Sequence, residues 1–300
     1  MSKQLKADIM LLLVTLFWGV SYWLIDISLT EVGAFTLNAL RFLIAFFIAV
    51  VLAFPKLKTV NGTTLKYSAI LGIALLFVYI GATFGVRYTS LSNAGFLCAL
   101  TVVLTPIFGF FFLKQIPERK LAVVVILSLA GIALLTLDGD LKPALGDLLC
   151  IMAAAAYSID LLITESAVKK EEVNAFQLGV FQLAFTGIYN LFFAFMVEKP
   201  KLPQTGNIWA AVLFLAILCT GLAFIVQAVA QQYTSASHVG VIFSLEPVFA
   251  GFVAYFLAAE VLSVKAYIGA AMMIAGLFIM ELDIKKLVTS FKIIEKNENI

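Results

Sequence analysis

The stretch Tyr233–Glu260, YTSASHVGVIFSLEPVFAGFVAYFLAAE, holds an apolar run long enough to cross a lipid bilayer, with Glu246-Pro247 near its middle. A carboxylate in the hydrocarbon core is costly, so its presence suggests a functional site. Proline removes a backbone donor and loosens a helix where it occurs. The stretch also echoes an earlier one, because Tyr88-Thr89-Ser90 recurs 145 residues later as Tyr233-Thr234-Ser235. We therefore interpret it as one of a pair of membrane helices.

The composition extends this interpretation to the whole chain. Of its 300 residues 63% are hydrophobic and only 13% are charged, whereas a soluble domain is about half apolar and a quarter charged. The charges sit in short clusters between long apolar blocks, which predicts an all-α membrane protein. With about 20 apolar residues needed for each span, the sequence predicts ten transmembrane helices. These are residues 8–28, 35–54, 67–86, 91–113, 121–138, 144–164, 175–197, 208–230, 236–258 and 265–283.

The orientation follows from lysine and arginine in the short loops, which favour the cytoplasmic side. With the N-terminus inside, 14 of the 20 basic residues fall on the cytoplasmic side and 5 on the other, and Arg41 lies within a helix. An even number of helices returns the C-terminus to the inside. We therefore expect a multi-pass protein of a bacterial inner membrane with both termini cytoplasmic, and residues 284–300 as a cytoplasmic tail.

The two halves of the sequence resemble each other. Ala34-Phe35 precedes Ala175-Phe176 by 141 residues, and Ala130-Gly131 precedes Ala275-Gly276 by 145. The order and near-constant offset predict two repeats of five helices, residues 7–139 and 144–283. An odd number of helices per repeat turns the second copy upside down in the membrane. Inverted repeats are typical of secondary transporters, whose substrate site lies near the midplane where the repeats meet.

Several function classes lack their motifs. The chain has one histidine, His238, and no GxSxG, HExxH or P-loop sequence, so we expect neither an enzyme nor an ATP-driven pump. We expect no metal and no other cofactor. No basic face stands out, which disfavours nucleic acid as a partner. A passive channel needs no inverted repeats. The expected partners are a small-molecule substrate and the lipid bilayer, and the sequence leaves the oligomeric state open.

The architecture resembles the drug/metabolite transporter superfamily, and within it the EamA-type transporters. The resemblance is carried by Trp18-Gly19, by GFLCALTVVLTP (Gly95–Pro106), by SLEPVFAGFVAYFLAAE (Ser244–Glu260) and by Ala275-Gly276. It covers nearly the whole chain but points to no particular substrate. The sequence departs from it at Gln115, where the second copy has Glu260. The resemblance implies ten helices, cytoplasmic termini and transport of small metabolites, usually outward.

A carrier needs a polar and partly aromatic cavity, and polar residues do line up at three- and four-residue steps on several predicted helices. The resemblance puts the first helix, and hence Trp18, beside that cavity, and Tyr157 occupies the matching position in the second repeat. The predicted substrate-binding residues are Trp18, Tyr22, Tyr79, Thr101, Tyr157, Asp160, Gln227 and Glu246.

Structural alternatives exist for these residues. Trp18 and Tyr22 are equally consistent with helix packing or with anchoring at the membrane interface. Asp160 can be a packed neutral carboxyl, and Glu246 can cap the helix break or pair with Arg41 or His238. Arg41 itself we interpret as a residue that pins helices together.

These features predict a secondary transporter of small organic metabolites that works by alternating access, with an amino acid or amine exported. Asp160 or Glu246 could couple transport to protons. A nucleotide-sugar or other sugar-derivative carrier of the same fold is an alternative, although a diphosphate calls for more basic residues in the cavity than Arg41. An importer of a small cationic metabolite is the other alternative.

Overall fold

The computed structural model of the chain describes residues 2–89, 91–136, 145–251 and 263–281. All regular structure in these ranges is helical. The helices are α1 Lys3–Ser28, α2 Ala34–Leu57, α3 Gly62–Tyr88, α4 Leu91–Ala99, α5 Thr101–Leu113, α6 Arg119–Thr136, α7 Leu145–Val168, α8 Ala175–Val197, α9 Gly206–Ala216, α10 Ala223–Ala230, α11 Ala236–Phe243 and α12 Val264–Glu281. A π-helical turn, Ile217–Leu222, joins α9 to α10, and a further helical stretch covers residues 246–251.

The predicted spans correspond to these helices. Within the described ranges, seven helical segments are long and apolar enough to cross a membrane, and Ala236–Gly251 and Val264–Met280 are shorter apolar helices. Together with α6 they cover all ten predicted spans, which confirms an all-helical membrane protein. The predicted repeat ends at 139, 144 and 283, the tail 284–300 and residues 252–258 of the ninth span lie outside the described residues.

Polar side chains at the loop ends fix where several helices start. The side chains of Ser2, Asn61, Asn174 and Ser235 each accept a hydrogen bond from a backbone N–H in the first turn of the helix that follows. Such caps satisfy donors that a helix cannot pair internally. The short polar loops seen in the sequence therefore act as helix start signals.

Two spans are interrupted at matching positions. A turn at Leu100 separates α4 from α5, and a turn at Ser244-Leu245 separates α11 from the helical residues 246–251. Leu100 and Leu245 are 145 residues apart, the same offset as the repeated Tyr-Thr-Ser triplet. The predicted loosening at Glu246-Pro247 thus takes the form of a turn directly before the pair.

Helices at corresponding places in the two halves run in opposite directions. The backbone N–H of Phe35 near the start of α2 donates to Glu198 after the end of α8 at 2.9 Å, and Gln177 near the start of α8 donates to the carbonyl of Lys56 near the end of α2 at 2.7 Å. In the same way the ammonium of Lys120 donates to the carbonyl of Met280, so that α6 begins where α12 ends. The pairs α2/α8 and α6/α12 are therefore antiparallel.

Small residues allow the most extensive helix contact of the described chain, between α3 and α7. A methyl group at Gly81 would lie 2.4 Å from the carbonyl oxygen of Leu149, and one at Gly85 would lie 2.4 Å from the sulfur of Cys150. Glycine permits this approach of two backbones, as is common between membrane helices. The contact brings Tyr157, farther along α7, toward the centre of the bundle.

The surface is apolar and the interior carries polar groups. Large hydrophobic side chains such as Val51, Phe111 and Phe195 are 70–80% exposed, whereas Asn38, Asp160 and Gln227 are fully buried. A soluble protein shows the reverse pattern, since large exposed apolar patches are rare in water. Lipid around the bundle explains both features.

Candidate functional site

A cavity of about 100 Å³ lies inside the bundle, beside the second half of α1. It is lined by residues of α1, α2, α3, α4, α5, α7, α10 and the stretch 246–251. The lining residues are Trp18, Ser21, Tyr22, Ile25, Arg41, Val78, Tyr79, Ala82, Cys98, Thr101, Ala153, Ala154, Tyr157, Phe224 and Glu246. Both halves of the sequence contribute to it.

Aromatic rings pack against one another beside the cavity. The ring of Trp18 lies 4.7 Å from Phe243, 5.8 Å from Tyr157 and 6.1 Å from Phe224, and Tyr157 stacks on Phe243. Contacts of this kind stabilise by about 0.5–1.5 kcal/mol each beyond the burial of area. They join α1, α7, α10 and α11 beside the cavity, which Trp18, Tyr157 and Phe224 line.

The π-helical turn Ile217–Leu222 supplies acceptors to this wall. The indole N–H of Trp18 donates to the carbonyl of Cys219 at 2.8 Å, and the guanidinium of Arg41 donates to the same carbonyl at 3.4 Å and to the hydroxyl of Thr220 at 2.7 Å. Single π-helical turns inside α-helices are frequent at functional sites. Here the turn exposes groups that orient two cavity residues.

Glu246 brings a carboxylate to the cavity. It stands at the start of the helical stretch 246–251, directly after the turn, where the positive end of a helix dipole favours negative charge. Pro247 follows in the first helical turn, where its missing N–H costs nothing. Tyr22 lines the same cavity. The sequence therefore builds a helix start in mid-membrane and places an acid on it.

Asp160 lies outside the cavity lining, in a buried polar network beneath it. Its Oδ2 accepts a hydrogen bond from the amide of Gln227 at 3.0 Å, and Oδ1 has no partner among the described residues. The oxygen of the same Gln227 amide accepts from the hydroxyl of Tyr157 at 2.7 Å. Tyr157 lines the cavity, so Asp160 is connected to it through two side chains.

The eight predicted residues thus fall into two groups. Trp18, Tyr22, Tyr79, Thr101, Tyr157 and Glu246 line the cavity, and Asp160 and Gln227 form the network behind Tyr157. Sequence reasoning missed Arg41 and Phe224 as lining residues. Arg41 had a signal, because it is the one basic residue in the interior of a predicted span and not at its end, but its contacts depend on the unforeseen π-helical turn. Phe224 is indistinguishable in sequence from the many lipid-facing phenylalanines.

A second polar cluster closes the bundle at the end where α1 and α11 begin. Nε2 of His238 lies 3.6 Å from Oδ1 of Asp8, with both side chains buried. Oε2 of Glu165 accepts from the backbone N–H of Ala236 at 2.7 Å, and Oε1 accepts from Lys169. Asp8 precedes Trp18 by ten residues, or about 15 Å along a helix. The cluster therefore separates the cavity from that membrane face.

None of these residues forms a metal site. Within the described ranges, no group of three or more His, Cys, Asp or Glu side chains lies close enough to hold a metal ion. The cavity offers instead one guanidinium, one carboxylate, hydroxyls and aromatic rings. Such a set has the chemistry for ion pairing and for stacking.

Comparison with known proteins identifies transporters as relatives of this chain. The model of the EamA-like transporter family matches residues 5–137 and again residues 144–282. An uncharacterized transporter of Archaeoglobus fulgidus is 30% identical over 280 residues, covering 93% of this chain and 87% of the relative. The uncharacterized transporter YetK of Bacillus subtilis is 25% identical over 292 residues, covering 92% and 87%.

A solved crystal structure shares the fold, with a TM-score of 0.78 at 20% identity over 94% of this chain and 98% of its own. The family model matches both halves of the chain, and the matches to the two named transporters cover 87% of each relative. The chain belongs to the EamA-like transporter family.

Proposed function

We propose that the protein is a secondary carrier that moves a small amine-bearing metabolite through the central cavity by alternating access. The observation that carries the proposal is the Glu246 carboxylate, which lines a small aromatic cavity between the two halves of the chain. A carboxylate beside π faces is a favourable environment for an ammonium group. The small volume and the single guanidinium offer little to a nucleotide diphosphate.

Two inverted five-helix repeats, residues 7–139 and 144–283, are part of this proposal. The antiparallel pairs α2/α8 and α6/α12 support it, as do the matching turns at Leu100 and Ser244-Leu245. Two copies related in this way exchange conformations when the cavity changes the side to which it opens. The cluster around Glu165 closes one side, so the described conformation belongs to the part of the cycle that is shut there.

The direction and membrane are proposed from charge. The excess of basic residues on one set of loops favours cytoplasmic termini in a bacterial inner membrane, and the shut end at the start of α1 is then the cytoplasmic one. We propose export as the working direction, with protons as coupling ions at Glu246 or Asp160. Glu246 lines the cavity with Tyr22, and Asp160 is connected through Gln227 to Tyr157, which lines it too.

Counterflow in proteoliposomes tests the carrier. Vesicles loaded with one unlabelled amine or amino acid at a time should accumulate the same compound in labelled form, because a carrier exchanges against the loaded pool. Glu246→Gln should lower the exchange rate at least about tenfold, since a charge-assisted contact of about 1.5–3 kcal/mol is lost. Glu171→Gln, an exposed loop variant, is the matched control.

Proton coupling has its own readout. An imposed pH gradient should drive uphill movement in the unchanged protein and fail to do so in Asp160→Asn or Glu246→Gln. Unchanged transport and unchanged pH response in both variants would remove the coupling proposal and leave the carrier proposal standing. A linear, non-saturating leak without exchange would instead indicate a channel.

A further inference from the structure

Arg41 is a buried charge without a counter-charge. Its side chain is 1% exposed in the interior of α2, and among the described residues no carboxylate oxygen lies within 4.0 Å of the guanidinium. An unpaired charge is expensive inside a membrane protein and usually marks a ligand or ion pathway. Pinning helices together could be done by a neutral side chain at less cost.

The hydrogen bonds of Arg41 leave one nitrogen of its guanidinium without a partner among the described residues. Nε donates to the hydroxyl of Thr220 at 2.7 Å, and Nη2 makes a long contact of 3.4 Å with the carbonyl of Cys219. The guanidinium carbon lies 4.8 Å from the centre of the Tyr79 ring. Nη1 is buried and has no partner among the described residues, although Arg41 lines the cavity. Nε and Nη2 are thus engaged, and only the N–H donors of Nη1 stay unused among the described residues.

A charge of the opposite sign stands in the same cavity. Glu246 lines it with Arg41 but lies beyond ion-pair distance of it, and Tyr22 lines the same cavity. Two separated and fixed charges of opposite sign match a molecule that carries both signs. Arginine is the side chain best shaped for a carboxylate, which its planar fork can bind through two N–H groups.

We propose that Arg41 binds the carboxylate of the transported molecule through its Nη1 edge, with Glu246 facing the ammonium. This inference rests on the proposed carrier function and narrows its substrate to small α-amino acids, as opposed to simple amines. Thr220 and Cys219 are positioning residues, because they fix the guanidinium and leave Nη1 without a partner among the described residues. The π-helical turn that carries them is then part of the recognition of the substrate.

Matched triplets of ligands test the assignment on the purified full-length protein. Each triplet holds an amino acid, its decarboxylated amine and its deaminated acid: alanine, ethylamine and propionate; valine, isobutylamine and isovalerate; leucine, isoamylamine and 4-methylvalerate; phenylalanine, phenethylamine and 3-phenylpropionate. Ligand-dependent thermal shift and inhibition of counterflow are measured for each. At least one amino acid should bind about tenfold or more tightly than both of its partners, since each lacks one charge-assisted contact.

Variants then locate the carboxylate contact. Arg41→Gln should reduce the preference for the amino acid over its amine to about one, while affinity for the amine changes less than threefold. Arg41→Lys keeps the charge without the fork and should retain part of the preference. Arg87→Gln, at the exposed end of α3, should keep all of it.

The outcomes separate the two proposals. If amines bind the unchanged protein as tightly as their amino acids, the role of Arg41 is refuted and an amine carrier remains. If no member of any triplet binds or exchanges, the proposed substrate class itself is refuted. Should Arg41→Gln fail to fold, the triplet comparison on the unchanged protein and on Arg41→Lys still decides.

Discussion

At the scale of single residues, carboxylates outside the membrane tie the two halves together by capping helices of the other half. Glu31 in the loop between α1 and α2 accepts hydrogen bonds from the backbone N–H of Gln204 and from the hydroxyl of Thr205, each at 2.7 Å, just before α9. Glu198 does the same for the start of α2 through Phe35 and Thr36. Negative charge at a helix start satisfies unpaired donors and complements the dipole.

The Glu31 contact makes a pH-dependent prediction. The hydrogen bond from the Thr205 hydroxyl, followed by that from the Gln204 backbone, lowers the pKa of Glu31 below its ordinary value. A lowered pKa stabilises the folded state above the ordinary pKa, and the contribution is lost as pH falls through the folded value. Glu31→Gln should therefore lower the melting temperature at pH 7 by on the order of 1 °C, and this difference should vanish near pH 3.

Melting of the detergent-solubilised protein checks this prediction, with Asp26→Asn as the control, because Asp26 is an exposed carboxylate nearby on α1. The control should show no comparable difference at pH 7. A Glu31→Gln effect of equal size at both pH values would mean that the carboxylate charge is irrelevant to this contact.

At the scale of elements, the close packing of α3 against α7 and the turns that interrupt two spans have different effects on the bundle. Glycines bring α3 and α7 together as a rigid pair, whereas the turns at Leu100 and Ser244-Leu245 divide spans at matching places. Packed pairs of this kind move as units, and broken spans supply backbone that can adjust. The cavity lies beside both turns, since Cys98, Thr101 and Glu246 line it.

Alanine at two glycines tests the packing. In Gly81→Ala the new methyl group would meet the carbonyl oxygen of Leu149 at 2.4 Å and the backbone nitrogen of Ala153 at 2.8 Å. Backbone atoms cannot turn away, so we expect a loss of about 1–3 kcal/mol in the free energy of unfolding. In Gly95→Ala, within α4, nothing lies within 4 Å, and a gain of about 0.5–1 kcal/mol is expected. Equal stability of the two variants would contradict the close approach of α3 and α7.

At the scale of the whole molecule, the polar cluster at the start of α1 and α11 joins helices at one end of the bundle. Glu165 is its centre, since it accepts hydrogen bonds from Ala236, Lys169 and Gln115 and thereby joins α7 to α11 and to the segment after α5. Asp8 and His238 add a second contact between α1 and α11. Opening toward that face requires these contacts to separate.

Weakening this cluster should therefore change access to the cavity. In a Cys150→Ala, Cys219→Ala background, Cys98 is the remaining thiol and lines the cavity. Glu165→Gln should raise the rate at which a membrane-impermeant thiol reagent labels Cys98 from the face where α1 begins, by about threefold to tenfold, and lower labelling from the opposite face. The shift follows from the loss of a charge-assisted contact in one of two states.

Glu171→Gln should leave both labelling rates unchanged, because this side chain is exposed outside the cluster. Equal increases from both faces would indicate general loosening of the bundle and would argue against alternating access.

The amino-acid sequence alone suffices to predict the membrane class, the helical spans and six of the fifteen residues that line the cavity. Hydrophobic runs and capping residues are local properties. Glu246 is recognisable because a carboxylate is expensive in mid-membrane, and Trp18 and Tyr157 are recognisable from the family resemblance and the repeat. The tertiary structure alone decided the surroundings of Arg41. Its partners, Thr220 and Cys219, are distant in sequence and become available only through the π-helical turn. A contact that depends on how two helices pack leaves no local pattern in the sequence. For this reason the sequence alone favours a structural role for Arg41, the residue to which we assign the substrate carboxylate.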